Sequence, residues 1–403
     1  MRIAMIGSFG LHPKGTMSAR ALPLAHELAA RGHEVKINMP PWHTPEDAGR
    51  SWEEAGVHLE YVPLGPRLPL LSHLMITFRL VQRALVMKPE VIHCFKPKAY
   101  AGLAACALWH LCRLGLIHAS LVIDEDDWEG PGGWNALEPY SPWLRALFAW
   151  QEGWGLRHND AVTVASRTLQ SLAWSLGVSP RKVHYLPNAA REPQRGDGRG
   201  VRKRHNLGEA PVVLLYTRFY EFDVARGIAV FRRIMDELPT VRFLVVGAAL
   251  FPQDDARFDH LLAEAGLGQS VLRAGWVSVE KLADHFAACD VALYPLDDTL
   301  VNRAKCSVKL IELLAAGLPV VADAVGQSAE YIVHNESGLL VPPGDVAAMA
   351  EATIRLLRDE ALRRSLSSAA AARIAQRFSW PALADQALMA YGQGNASGLR
   401  FEV

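Results

Sequence analysis

Residues 305–322 read Lys305-Cys306-Ser307-Val308-Lys309-Leu310-Ile311-Glu312-Leu313-Leu314-Ala315-Ala316-Gly317-Leu318-Pro319-Val320-Val321-Ala322. A helix begins near Ser307, carries Glu312 and stops at Gly317, where glycine suits the left-handed turn that ends a helix. A proline then opens a short run of valines, the pattern of a buried strand. A helix that hands over to such a strand is half of a βαβ unit, so the stretch predicts a parallel sheet covered by helices. The start of that helix offers backbone N–H groups to an anion. Glu312 lies one to two turns inside, at a depth where its carboxylate suits the hydroxyls of a ribose.

The same rhythm extends outward in both directions. In the second half, strands are predicted at residues 212–216, 242–246, 271–274, 291–294 and 319–322, each followed by a helical pattern. The first half alternates in the same way, with strands at 3–7, 35–39, 57–62, 91–94, 121–124, 161–165 and 183–186. Between the halves, the polar, glycine-rich and basic segment near 191–210 reads as an exposed linker. The expected fold is therefore α/β, with two Rossmann-like, doubly wound parallel-sheet domains. They span residues 1–190 and 211–375, followed at 376–403 by a closing helix and a frayed tail. Ligands bind such sheets at the carboxyl ends of their strands, so the expected site is a cleft that the two domains face. Asn395-Ala396-Ser397 in the tail matches a glycosylation sequon, read here as chance because no secretory signal is seen.

The chain has 403 residues, half of them apolar, and 42 basic residues balance 42 acidic ones. A net charge of zero argues against a nucleic-acid partner, whose phosphates call for a basic face. Five scattered cysteines without a C-x-x-C pair read as small buried hydrophobes rather than a disulfide or zinc framework. The amino terminus runs straight into a strand pattern, and the apolar stretch 99–123 is broken by His110, Arg113 and His118. Neither resembles a signal peptide or a membrane span, so a cytoplasmic location is expected.

Three features carry candidate chemistry. Gly7, Gly10 and Gly15 follow the first strand, but their spacing is not the G-x-G-x-x-G of nicotinamide cofactor binding. What remains is a glycine loop before a helix, either an anion site at Gly15 and Thr16 or a plain βα turn. Arg218 ends the first strand of the second half and Arg226-Gly227 opens the next helix. Two arginines so placed suit a diphosphate, or are ordinary surface charges. The third feature is the helix of residues 307–317 itself.

Together with Gly247, Ala274-Gly275-Trp276-Val277, Glu330-Tyr331-Ile332 and Asn335-Glu336-Ser337-Gly338, these residues resemble the nucleotide-binding half of retaining glycosyltransferases of the GT-B fold, family 4. Gly15, the helix end Ala29-Ala30-Arg31-Gly32-His33 and Leu186-Pro187-Asn188 match the first domain of that family more loosely. The resemblance implies that closing helices pack back on the first domain and that Arg218 and Arg226, the latter where lysine is usual, clamp the donor diphosphate. Gly15 and Thr16 would bring backbone to phosphate and sugar. The amides of Ser307 and Val308 would meet phosphate, Glu312 would hold the ribose as the second glutamate of E-x7-E, and Trp276 and Val277, with Gly247 nearby, would line the donor pocket. The first glutamate of that motif is Ala304 here, at a position that in the family contacts the transferred sugar. The implied activity is retaining, metal-independent transfer of a hexosyl group from a UDP- or GDP-linked sugar to a hydroxyl of a glycan, lipid-linked or small-molecule acceptor. No cofactor is expected.

The acidic run Asp124-Glu125-Asp126-Asp127-Trp128-Glu129 follows a strand of the first domain. Many relatives carry a histidine where Asp126 stands. Crowded carboxylates should raise at least one pKa there. The run suits acceptor hydroxyls or base assistance by Asp126 and Asp127, capping of the next element, or a metal. Acceptor recognition is expected at Lys96 in Phe95-Lys96-Pro97-Lys98 and at Trp128, Glu129 and Trp134, whereas Trp143, Trp150 and Trp154 read as helix core. The segment 70–88 carries an apolar face (Leu70, Leu71, Leu74, Met75, Phe78, Val81, Leu85) that reads as core-facing, with peripheral contact to the inner face of a membrane as the alternative. Competing functions are a non-catalytic nucleotide-sugar binder, which Ala304 keeps open, and a nicotinamide-dependent oxidoreductase.

Overall fold

The computed structural model describes residues 1–13, 15–65, 68, 71–191 and 196–392. The chain divides into two compact units. One is Met1–Ala189 with Ala304–Cys306 and Trp380–Val403; the other is Ala190–Arg303 with Ser307–Ser379.

The first unit is built on eight strands: β1 (Arg2–Ile6), β2 (Glu34–Met39), β3 (Ser51–Glu54), β4 (Val57–Tyr61), β5 (Val91–Phe95), β6 (Ser120–Glu125), β7 (Ala161–Val164) and β8 (Val183–Tyr185). Their order is β3-β4-β2-β1-β5-β6-β7-β8, parallel except for the antiparallel β3–β4 pair. Ile3, Met5 and Ile37 pack on one face with Leu24 and Leu28, while Ala4, Ile6 and Ile92 pack on the other with Leu80 and Leu108. Burial on both faces is why these strands read as unbroken apolar runs. The second unit carries β9 (Val212–Tyr216), β10 (Arg242–Val246), β11 (Val271–Gly275), β12 (Val291–Tyr294), β13 (Val320–Asp323) and β14 (Leu339–Val341) in the parallel order β11-β10-β9-β12-β13-β14.

Strand order reverses between β1 and β5 in the first sheet and between β9 and β12 in the second. In doubly wound sheets the loops leaving the strands at such a point diverge to opposite faces and open a crevice. The loops after β1, β5, β9 and β12 are therefore the ones to examine for chemistry.

Four expectations from the sequence need correction. Strands β3 and β14 lie outside the predicted set. Ser51-Trp52-Glu53-Glu54 has no apolar run; it becomes a strand because Ala55 (φ 47°) and Gly56 (φ 79°) form a left-handed hairpin turn that matches strand twist. The segment read as linker contains a helix, Gly198–Arg204, with Val201 and Leu207 buried. Its approach is close: a side chain at Gly196 would meet the Ala283 carbonyl at 2.0 Å. Residues 192–195 of that segment, and the tail from 393 with its sequon, lie outside the described residues.

The tryptophans are the third correction. Trp143 and Trp150 are exposed on the Pro142–Arg157 helix, and the half-buried Trp154 stacks on His158 with centroids 4.3 Å apart. The fourth is the Leu71–Leu85 helix. It buries Ile76, Thr77, Leu80 and Ala84 and leaves Leu71, Leu74 and Phe78 exposed, Phe78 at 65%. The apolar stripe that looked core-facing is thus split: Leu71, Leu74 and Phe78 face outward, while Val81 and Leu85 pack at the edge of the core. Leu70 itself is outside the described residues.

Beyond residue 344 the chain is helical, in Val346–Arg358, Glu360–Arg377 and Trp380–Ala390. The last of these returns to the first unit, as the fold predicts, burying Trp380, Leu383, Ala384 and Ala387 against the Leu22–Ala30 helix. Tyr391 Oη lies 2.8 Å from His93 Nδ1 in the sheet, which fixes the register of that return. No helix among the described residues is long and apolar enough to cross a membrane.

Candidate functional site

In the first unit, the loop after β1 ends at Gly15, which precedes a π-wound turn, Thr16–Ala21, continuous with the Leu22–Ala30 helix. Nothing lies within 4 Å of the position a Cβ on Gly15 would take, so the protein's own packing does not demand glycine there. Thr16 Oγ1 donates to Asp126 Oδ2 at 2.6 Å, tying this turn to the end of β6. One helical turn further on, Arg20 is buried and forks onto Asp124 at 2.6 and 2.7 Å, while Thr163 Oγ1 donates to the same carboxylate at 2.5 Å. Asp124, the first acid of the run, is thereby committed to the core.

Lys96, at the carboxyl end of β5, neutralises the rest of the run. Its ammonium lies 3.1 Å from Glu129, 3.2 Å from Asp127 and 3.9 Å from Asp126. Burial would pull its pKa down, yet Asp127, Glu129 and Asp126 hold it well above the ordinary lysine value. Burial likewise pushes Asp127 up against the pull of Lys96, and Glu129, although buried, is held low by Lys96 and Lys98. Behind them Glu125 is driven well above the carboxylate range, first by burial and then by Glu152, whose own burial lifts it to about 8. Glu152 Oε1 accepts the Glu129 N–H at 2.6 Å. Two buried carboxyls side by side cannot both be ionised at neutral pH, so this pair holds a proton.

This geometry revises the expected acceptor residues. Trp128 is buried, its ring N–H donates to the Pro131 carbonyl at 3.0 Å, and side chains at Gly130 or Gly133 would run into it. It is the pillar of its loop and offers no open face to a sugar. Glu129 is buried between two lysines, Lys98 at 2.6 Å being the nearer, and Lys96 is engaged by three carboxylates. Trp134 is half-buried, and its proximity helps to hold Asp127 against the upward pull of burial. Asp126 and Asp127 are thus the acids held at the end of β6 with Thr16 and Lys96 as their partners.

In the second unit, Arg218 leaves β9 with an exposed side chain, its guanidinium 5.7 Å from the Tyr220 ring. Its backbone is fixed: Glu221 Oε2 accepts the Arg218 N–H at 3.1 Å and the Thr217 hydroxyl at 3.2 Å. Phe219 beside it takes φ 65°, a strained value for a residue with a side chain, held by a 2.8 Å bond from its N–H to Thr217 Oγ1. Glu221 Oε1 also accepts from Lys309 Nζ at 2.6 Å. Burial holds Lys309 below the usual lysine value, with Glu221 opposing. Lys309 is on the Val308–Ala315 helix three residues before Glu312, which burial raises and which hydrogen-bonds Tyr216. Arg218, Lys309, Glu312 and Tyr216 thus gather at the end of β9.

Arg226 stands elsewhere. Its side chain is 9% exposed and its two terminal nitrogens are taken by Asp323 at 2.8 Å and Asp297 at 3.0 Å. Asp323 is fully buried at the end of β13 and also accepts the Leu296 N–H. Arg226 therefore staples the β12 and β13 loops, and the expected clamp on a diphosphate is not what its geometry offers. Ser307 is similarly occupied: its N–H donates to Gln327 at 2.8 Å and its hydroxyl caps Leu310 N–H and contacts Tyr294 Oη. The amides of Val308 and Lys309, in the first turn, have no carbonyl within their own helix to bond.

Gly247 takes φ 116°, and any side chain there would meet the Thr217 carbonyl at 2.0 Å, so packing against the Arg218 loop demands glycine. Trp276, after β11, is 76% exposed, with half-buried Val277 next to it. Ala304 is fully buried. Among the described residues, no group of three or more His, Cys, Asp or Glu is arranged to hold a metal ion.

Lys309, Glu221 and Glu152 were not singled out in the sequence. The i, i+3 spacing of Lys309 and Glu312 was a usable signal, since it puts both on one helix face. Nothing local marks Glu152.

The family described as glycosyl transferase 4-like domain matches residues 15–189, and that described as glycosyl transferases group 1 matches 210–359. A D-inositol 3-phosphate glycosyltransferase of Stackebrandtia nassauensis is 29% identical over 95% of this chain and 88% of its own. A GDP-mannose-dependent alpha-(1-6)-phosphatidylinositol monomannoside mannosyltransferase of Mycobacterium tuberculosis is 27% identical over 89% of each. An exopolysaccharide phosphotransferase of Streptomyces coelicolor is 34% identical, but over 51% of this chain and only 20% of its own length. Among solved structures, sucrose-phosphate synthase of Thermosynechococcus elongatus superposes with a TM-score of 0.72 at 24% identity, over 97% of this chain and 98% of that one. HepE of Anabaena, in complex with UDP, superposes with 0.71 at 18%, over 97% and 100%. These neighbours share the fold.

Proposed function

Since this chain is a glycosyltransferase of the GT-B fold, family 4, using a nucleotide-sugar donor, we propose that it transfers a hexosyl group with retention and without a metal, from a UDP- or GDP-linked sugar to a hydroxyl of a glycan, lipid-linked or small-molecule acceptor. The observation that carries the reading is the cationic group at the end of β9: exposed Arg218 on a braced backbone, Lys309 behind it, and the first-turn amides of the Val308–Ala315 helix.

As the sugar–phosphate bond breaks towards an oxocarbenium-like state, charge grows on the departing diphosphate. Groups that stabilise this growth accelerate the reaction more than groups that bind the ground state. Arg218 and the helix amino terminus are assigned that task. Lys309, braced by Glu221, is assigned beside Arg218 as a second cation, while Arg226 is held by two aspartates. The acceptor hydroxyl attacks the face the phosphate leaves, and its proton passes to the departing phosphate oxygen, so no protein nucleophile is required. Glu312 and Tyr216 are assigned to the ribose hydroxyls. Asp126 and Asp127 are assigned to the acceptor hydroxyl or sugar, oriented by Thr16 and Lys96.

Two of the relatives are named for inositol-containing acceptors, one of them a phosphatidyl lipid. The exposed Leu71, Leu74 and Phe78 stripe suits the apolar part of such an acceptor at the cytoplasmic face of a membrane. Calorimetric titration with UDP, GDP, ADP and NAD tests the reading. Binding of one nucleoside diphosphate, weakened at least roughly tenfold by Arg218→Ala, is expected. Preference for NAD, or an unchanged affinity in the variant, would overturn it. Transfer that persists in excess EDTA is the corresponding expectation for metal independence.

A further inference from the structure

The loop that follows β5 contains two non-glycine residues in left-handed conformation, Lys96 (φ 61°) and Ala99 (φ 49°). Such strain persists only where surrounding structure fixes it, and it concentrates at ligand sites. Here the fixing is thorough. Ser8 Oγ lies 3.0 and 2.8 Å from the carbonyl oxygens of Lys96 and Lys98. Gln151 accepts the Ala99 N–H at 2.9 Å and donates to the Ala99 carbonyl at 3.1 Å. Pro97 seats between Gly102 and Gly155, where an added Cβ would come within 2.8 Å of its carbonyl oxygen and its ring respectively. At one end of this rigid shelf Lys96 holds Asp126 and Asp127. At the other is Tyr100.

Tyr100 is buried up to its hydroxyl, which lies 2.8 Å from His73 Nδ1. Above them sits Trp42, from the loop after β2, with its ring centroid 5.9 Å from His73 and 5.8 Å from Tyr100. Trp42 is nonetheless 49% exposed, so one part of a large ring is anchored on two aromatic neighbours while the rest faces solvent. His73 is exposed as well, on the Leu71–Leu85 helix. An anchored, half-open indole beside polar ring edges fits the apolar face and hydroxyl rim of a pyranose or cyclitol. Four residues of chain separate Lys96 from Tyr100, which limits their Cα atoms to about 14 Å. The shelf therefore puts the Trp42 cluster and the Asp126–Asp127 end on one continuous, rigidly held stretch of chain.

We propose that Trp42, His73 and Tyr100 form a ring-binding platform for the acceptor's pyranose or cyclitol, held in register with Asp126 and Asp127 by the 96–99 shelf. The proposal rests on the transferase reading above, and its test separates the two. Saturation-transfer NMR is run on the full chain with methyl α-D-mannopyranoside, methyl β-D-glucopyranoside and myo-inositol, each at millimolar concentration. The expected result is saturation of at least one ring, weakened roughly three- to tenfold in Trp42→Ala and largely retained in Trp42→Phe. Tyr100→Phe, which keeps the ring but frees His73, should weaken it less than Trp42→Ala. Nucleoside diphosphate affinity, measured by calorimetry on the same samples, should be unchanged in all three variants. Saturation undiminished by Trp42→Ala, or no saturation of any of the three rings by the wild type, overturns the platform. Loss of UDP, GDP and ADP binding in the wild type would instead overturn the transferase reading, whatever the rings do.

Discussion

Replacing Glu152 by glutamine tests the electrostatics of the first unit most directly. Glu152 is 1% exposed, accepts the Glu129 N–H through Oε1, and is buried near Glu125, whose pKa is also raised. Burial raises its pKa from 4.5 to about 8, so the native state binds a proton the unfolded chain releases. Stability from this group is therefore present below pH 4.5 and declines as pH rises towards 8. Each pH unit in that window costs about 1.4 kcal/mol per proton, so between pH 5 and 7.5 the wild type loses about 3 kcal/mol from this site. Glutamine keeps the acceptor for Glu129 N–H, donates to Glu125 and does not titrate. All other carboxylates stay in place, so the difference between the two proteins reports the proton held by the Glu125–Glu152 pair. Melting of the first unit, followed by differential scanning calorimetry from pH 5 to 7.5, should fall roughly 6–12 °C further in the wild type than in Glu152→Gln. Parallel curves for the two proteins would refute the raised pKa of Glu152.

Arg226→Met should destabilise the second unit by about 3–5 kcal/mol, because it leaves fully buried Asp323 without its cation; a melting temperature within about 2 °C of wild type, roughly the resolution of the assay, would refute this staple and leave Arg226 open to a ligand. Asp126→Asn can still accept the Thr16 hydroxyl, so nucleoside diphosphate affinity should stay within about twofold while the rate of transfer falls at least roughly tenfold; equal losses in both would place Asp126 in donor binding alone. Gly247→Ala collides with the Thr217 carbonyl and strains the backbone, so it should displace the Arg218 loop and weaken nucleotide binding together with stability; a stable variant with normal affinity would show that this approach is not needed.

Most of the fold was legible because its causes are local and periodic. Strands buried on both faces announce themselves as apolar runs, and helices between them by their 3.6-residue period, so twelve of the strands and their parallel order class followed from the chain. The edge strand β3 was not legible, since its Ser-Trp-Glu-Glu sequence is polar and its pairing comes from the Ala55-Gly56 turn. Arg218 and Glu312 could be named from motif and resemblance, because a strand end and a helix start are positions that sequence alone can locate.

Which charges remain open to a ligand was decided by tertiary contacts. Arg226 and Lys309 are both cations on paper; Asp297 and Asp323 engage the first and Glu221 the second, and only the fold brings those carboxylates from 71, 97 and 88 residues away. Trp128 and Trp42 are both tryptophans in loops, yet one is sealed under its own glycines and the other is half-open on an aromatic base. The sequence reads the Leu71–Leu85 helix as turning Leu71, Leu74 and Phe78 inward, but packing against β1 and the Ala99–Arg113 helix chose Ile76, Thr77 and Leu80. The sequence by itself determined most of the elements, the largely parallel character of both sheets and the strand ends where chemistry belongs, because those rest on short-range periodicity. Burial, charge pairing and the direction each side chain faces depend on partners distant in the chain, and these the tertiary structure alone decided.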